Sequence, residues 1–204
     1  GYRELRSVWK HFSSHPILKS YIGAFFVFSM AVQTVMLIAA YFGEQEVDWG
    51  STSEKQTGLI VSIMIIQLIA IVGAILTARC SEKFGNLPVL IALNFIWVSL
   101  CLYAFFVVTP IQFYIAAGFV GLSMGGIQSL ARSTYSKYIP KTDDTASFFS
   151  FYSTSQMTGI VLGMLLFGTI DQVTGSMRNS VLFFLSFFLI GAFLLIRLHR
   201  KSAV

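Results

Sequence analysis

Residues Ile111–Pro140 read IQFYIAAGFVGLSMGGIQSLARSTYSKYIP, and the fold is decided there. From Ile111 to Leu130 the stretch carries no charge for about 20 residues, roughly 30 Å of helix and enough to cross a bilayer core. Gly118, Gly121, Gly125 and Gly126 lie inside it; Gly121 and Gly125, four apart, share a face on which a second backbone can come close. Its exit gathers Gln128, Ser129, Arg132 and Ser133. Two readings fit: close helix packing that ends in an interfacial anchor, or a helix lining a polar path with Gln128 and Ser129 on its wall.

Composition extends this reading to the whole chain. Of its 204 residues 55% are hydrophobic and only 11% charged, less than half the charged share of a soluble domain, about 25%. Mean hydropathy is +0.74. The chain is expected to be an integral, multi-pass, all-α membrane protein. It opens on Gly1 with no signal peptide ahead of the first span, and is expected to be part of something longer. Cys80 and Cys101 cannot build a disulfide framework and are read as free thiols.

Six spans are expected, at about 17–42, 57–78, 88–108, 111–130 (with an extension to 139), 146–170 and 180–198. A basic, aromatic amphipathic lead-in over 1–16 is expected on the membrane surface, and a cytoplasmic tail over 199–204. His11 and His15 are spaced for one helix face, but no third metal ligand is nearby. A polar loop is expected over 43–56 and a tight charged turn over 79–86. The Thr109-Pro110 connection is so short that spans three and four must be antiparallel neighbours. Asp143-Asp144-Thr145 supplies helix-start chemistry for span five, and Gly159 and Gly163 give it a small-residue face. Span six is nearly all Leu, Phe and Ile, and one side of it should face lipid.

Alternating loops place Arg3, Arg6, Lys10, Lys19, Arg79, Lys83, Arg132, Lys137, Lys141, Arg197, Arg200 and Lys201 on one side and only Lys55 and Arg178 on the other. That is 12 of the 14 basic residues against 2, so both ends of the segment are expected in the cytoplasm. The net charge of +5 therefore reflects orientation in a lipid bilayer rather than a nucleic-acid surface.

Enzymatic readings find no support. His11, His15 and His199 all lie in cytoplasmic segments, and no Asp or Glu lies deep in a span. There is no phosphate-binding glycine loop and no Cys/His metal cluster, so neither cofactor nor metal is expected. The polar groups within the spans are neutral: Gln33 and Thr34, Gln67, Asn94, Gln128, Gln156 and hydroxyls. Gln33 and Thr34 must find partners inside the protein, either on a neighbouring helix or in a cavity. Such a lining suits a small polar or zwitterionic solute.

A resemblance sharpens this. Phe25-Phe26-Val27-Phe28-Ser29-Met30-Ala31-Val32-Gln33-Thr34-Val35 and Ala40-Tyr41-Phe42-Gly43 resemble the seventh helix of vacuole-effluxer-like transporters, a branch of the major facilitator superfamily. Span two, with Gln67 and Gly73-Ala74, continues the likeness. Ala78-Arg79-Cys80-Ser81-Glu82-Lys83-Phe84-Gly85 is similar to the superfamily's Gly-x-x-x-Asp-Arg-x-Gly loop motif. Gly125 to Ser133, Ile139-Pro140, Phe148 to Tyr152 and Thr174-Gly175-Ser176 are similar to the branch's second half. The sequence departs at Met30-Ala31, where many relatives have Asp-Gly. It departs also at Ala78, Glu82 and Lys83 of the loop motif and at Asn86-Leu87 after it.

The resemblance implies the C-terminal six-helix half of a twelve-helix transporter, built as two inverted three-helix repeats with the solute near the midplane between halves. Spans one and four would line the cavity, two and five flank it, and three and six lie outside. Gln33, Thr34, Gln67, Gln128 and Gln156 become candidate solute-binding residues, and Arg79, Glu82, Lys83, Gly85 and Arg132 candidate gating residues. Partners would be the missing N-terminal six-helix half and a small-molecule solute. Amino-acid efflux from a bacterium, with the chain in the inner membrane, is the implied activity. A non-transporting membrane scaffold or receptor that kept the fold is the competing reading.

Overall fold

The structure is a computed structural model that describes residues 15–140 and 144–202. Nearly all of the lead-in expected over 1–16, including His11, lies outside the described residues. Six helices run in order: α1 Pro16–Glu46, α2 Thr52–Phe84, α3 Asn86–Phe106, α4 Pro110–Tyr138, α5 Thr145–Thr174 and α6 Met177–Ser202. Each is long and apolar enough to cross a membrane, and no strand occurs among the described residues.

Local chemistry sets the helix ends. Pro16 sits in the first turn of α1, where its missing N–H costs nothing. Ser51 caps α2 by accepting from the Glu54 N–H, and Asp144 caps α5 by accepting from Ser147. Thr109 and Gln112 form a reciprocal capping box at α4. Gly85 and Gly175 end α2 and α5 with positive φ, 87° and 63°, which other residues adopt at a cost.

Helices outrun the expected spans at several ends. The polar loop expected over 43–56 shrinks to 47–51, because Glu44 and Glu46 are compatible with helix and α1 continues through them. That short loop folds around Trp49, which is buried and donates from Nε1 to the Gly43 carbonyl at 2.7 Å. The charged turn expected over 79–86 is helical as far as Phe84, and Gly85 alone separates α2 from α3. Hydropathy marks where a helix leaves lipid, not where it ends.

The packing shows the two-repeat plan. If α1–α3 and α4–α6 are exchanged, the main contacts map onto one another. α4 packs on α2 as α1 packs on α5, α1 on α6 as α4 on α3, and α3 pairs with α6. Glycines bring backbones together in both repeats. A Cβ on Gly125 or Gly73 would collide with the carbonyl oxygen of Ala70 or Leu122, and one on Gly121 would sit 2.5 Å from that of Ile66. In the equivalent α1–α5 pair, a Cβ on Gly163 would meet Thr34 Oγ1. This is six-helix half of the twelve-helix major facilitator fold.

α1 lies at the centre, with Tyr21, Phe25 and Phe28 almost fully buried and Trp97 stacked on Phe188 behind it. α6 buries Phe184, Phe188 and Leu195 and exposes Phe183, Leu189, Ile190 and Phe193, the one-sided lipid face expected of it. α2 and α5 expose most of their apolar surface. Cys80 is exposed, Cys101 is buried, and both are free.

Candidate functional site: a polar cavity between α1, α4 and α5

A cavity of about 480 Å³ opens between the first helix of each repeat and α5. That is within the usual range of small-molecule sites, about 300–1,000 Å³. α1 contributes Phe25, Phe28, Ser29, Val32 and Gln33; α4 contributes Met124, Gly125 and Ile127 to Ser129, with Ala131 and Arg132; α5 contributes Tyr152 and Gln156. Phe25 to Gln33 is a rise of about 12 Å, so the cavity follows α1 for roughly two turns.

Periodicity explains the lining. Gln128 and Arg132 are four apart on α4, as are Tyr152 and Gln156 on α5, and each pair shares a helix face. The opposite faces are used elsewhere: Leu130 and Thr134 are buried, and Thr134 donates to the Leu130 carbonyl at 2.6 Å. One end is walled by aromatic rings. Phe25 stacks on Tyr152 at 4.1 Å between centroids, and Tyr152 packs on Tyr135 at 4.9 Å. The Tyr21 hydroxyl donates to the Ala131 carbonyl and that of Tyr135 to the Phe148 carbonyl, at 2.7 and 2.8 Å. The Arg132 guanidinium lies 5.8 Å from the centre of the Tyr152 ring.

Among the described residues, Gln33, Gln128 and Gln156 make no hydrogen bond to another protein group. Ser29 Oγ is buried without a partner and its residue lines the same space. Three amides and a hydroxyl thus retain donor and acceptor capacity toward the cavity. No lining residue is a carboxylate. Arg132 is the one formally charged lining group.

The structure separates the other candidates from this site. Thr34 is fully buried, donates to the Met30 carbonyl at 2.7 Å and faces Gly163, so it serves helix packing. Gln67 is exposed on α2 and does not line the cavity. Arg79, Glu82, Lys83 and Gly85 lie at the end of α2, away from it; Lys83 covers the Phe84 ring at 5.2 Å. Arg132, named with them as a gating candidate, lies on the cavity wall. Asn94 is buried on α3 and donates to the Leu90 carbonyl at 2.9 Å.

Two polar devices escaped the sequence reading. Asn86 Nδ2 donates to Thr134 Oγ1 at 3.1 Å and Asn86 Oδ1 accepts from Lys137 at 3.0 Å, tying the α2–α3 corner to α4. This amide stands where the loop motif continues with a basic pair. At the far end Arg178 clamps three elements. It pairs with the Glu46 carboxylate at 2.6 Å and donates to the carbonyls of Glu46, Phe105 and Val107 at 3.0, 2.5 and 2.7 Å. Arg178 is one of two cations on the sparsely basic side, which marks it in the sequence without revealing its partners.

Comparison with known proteins gives a consistent result. A profile of the family described as "Vacuole effluxer Atg22 like" matches residues 1–204. The chain is 28% identical over 195 residues to an uncharacterized MFS-type transporter, YxiO, of Bacillus subtilis, covering 96% of this chain and 44% of that protein. It is 28% identical over 201 residues to autophagy-related protein 22 of Vanderwaltozyma polyspora, covering 93% and 37%. With the protein of that name from Yarrowia lipolytica it shares 26% over 207 residues, covering 98% and 35%. The chain spans less than half the length of these curated relatives.

Proposed function

The chain belongs to the Atg22-like family of vacuole effluxers, and from that premise we propose that it is the C-terminal half of a secondary transporter that moves a small polar or zwitterionic solute by alternating access. One observation carries the reading: Gln33, Gln128 and Gln156, on three different helices, face one cavity with their amides uncommitted among the described residues. An amide both donates and accepts, so such a set holds a polar solute without changing its own charge. Amino-acid efflux is the activity this site suits best.

We further propose that a second six-helix half covers the open side of the cavity, flanked by the exposed apolar faces of α2 and α5. The end bearing Lys19, Arg79, Lys83, Lys137 and Arg197 is assigned to the cytoplasm, and the membrane of a bacterial relative would be the inner membrane. With no carboxylate in this half of the cavity, ion or proton coupling falls to the other half.

Transport by the full-length protein in proteoliposomes tests this. Gln33→Ala should raise KM for a zwitterionic solute by the equivalent of about 1–3 kcal/mol, with the melting temperature and the pH profile of transport unchanged. A stable variant with unaltered KM, or a shifted pH profile, removes Gln33 from the site.

A further inference from the structure

We propose that Arg132 is the residue that anchors the solute's carboxylate, a specificity-determining contact on the cavity wall. The inference rests on the transporter reading above and deepens it. Arg132 is the one charged residue on the wall and, among the described residues, no carboxylate pairs with it. Its guanidinium is placed beside the Tyr152 ring, the same ring that stacks on Phe25. Arg132 is exposed at the mouth of the cavity, where an uncompensated guanidinium draws anions toward the opening. Its planar fork matches a carboxylate with two parallel hydrogen bonds, a geometry Lys does not supply.

The surrounding groups divide the remaining work. Gln128 lies one helical turn from Arg132, within reach of the same bound group. Ser29, buried and unpartnered, and Gln33 continue the polar track away from it. Phe28, Val32 and Ile127 supply apolar wall that a fully charged solute, such as an inorganic anion, would leave unsatisfied. Arg132 shares its cavity with three amides.

The test is counterflow of labelled L-valine by the full-length protein in proteoliposomes, with isovalerate, L-valinamide and inorganic phosphate as competitors. Isovalerate retains the carboxylate and lacks the amine; valinamide does the reverse. In the parent, isovalerate should compete about tenfold or more better than valinamide, as expected for a charge-assisted pair, and phosphate should compete weakly. Arg132→Gln should abolish that preference. Gln128→Glu, which leaves Arg132 in place but supplies an internal carboxylate one turn away, should abolish it too and covers the case in which Arg132→Gln does not fold. If either folded variant keeps the parent's preference, Arg132 is not the anchor, while counterflow itself leaves the transporter reading standing. Phosphate competing as well as isovalerate overturns the carboxylate assignment. Absence of counterflow by the parent overturns the transporter reading for small zwitterions, and this inference with it.

Discussion

Arg178 shows how one side chain can hold an otherwise unfavourable arrangement. It stands in the first turn of α6, where a cation opposes the helix dipole. Carbonyl groups near the C-terminal ends of α1 and α3, left without helical partners, offset that cost by accepting its N–H groups. The Glu46 carboxylate adds a fourth bond. Arg178→Ala should therefore destabilise the detergent-solubilised protein by roughly 3 kcal/mol, as for a half-buried charge partner left unpaired. Glu46→Gln should cost less, because the three carbonyl contacts remain. Equal melting temperatures for the two variants would mean the carbonyl contacts contribute nothing. Neither Arg178 nor Asn86 could be recognised from sequence, since each acts through groups brought together by chain reversal. Gln33 and Gln128 were legible because an amide in an apolar run is conspicuous wherever the chain goes. Thr34 and Gln67 carried the same signal and proved different: a hydroxyl can satisfy itself on the preceding turn, and Gln67 emerges on an exposed face of α2.

Helices pair here according to which glycines meet backbone. Gly121 and Gly125 were readable as a close-approach face, and they do meet α2, whose own Gly73 meets α4 in return. The choice of partner was not in the spacing; it follows from the repeat arrangement, which places the first helix of one repeat on the second helix of the other. Gly125→Ala should destabilise by about 1–3 kcal/mol, because the added methyl meets the fixed Ala70 carbonyl and not a mobile side chain. Gly163→Leu should do likewise against Thr34 and Met30. Gly168→Ala is the control: nothing lies within 4 Å of its added Cβ, and relief of glycine's backbone entropy should leave stability equal or higher by about 0.5–1 kcal/mol. If thermal unfolding of Gly125→Ala and Gly168→Ala coincides, backbone proximity does not limit the α2–α4 pair.

At the scale of the whole molecule, the six-helix plan was legible because each apolar run is long enough to span and each interruption carries charge or, at Thr109-Pro110, a proline. The cavity's location was legible only through the family resemblance, since hydropathy treats α1 and α3 alike. The charges state which way the bundle sits in the membrane. Of the described basic residues, Lys55 and Arg178 are at the end holding the α1–α2 loop, while Lys19, Arg79, Lys83, Arg132, Lys137, Arg197, Arg200 and Lys201 gather toward the other. Retaining that second group in the cytoplasm is favoured during insertion, so Ser51 should face outward and Ser202 inward. Cys80 is exposed at the basic end and would itself react in permeabilised cells, whereas buried Cys101 would not, so the experiment starts from Cys80→Ser. In intact cells an impermeant maleimide should label Ser51→Cys and leave Ser202→Cys unlabelled until the membrane is opened. Native Cys80 should behave like Ser202→Cys. The reverse pattern would put Arg132 at the external mouth, and the solute carboxylate would then be met first from outside the cell.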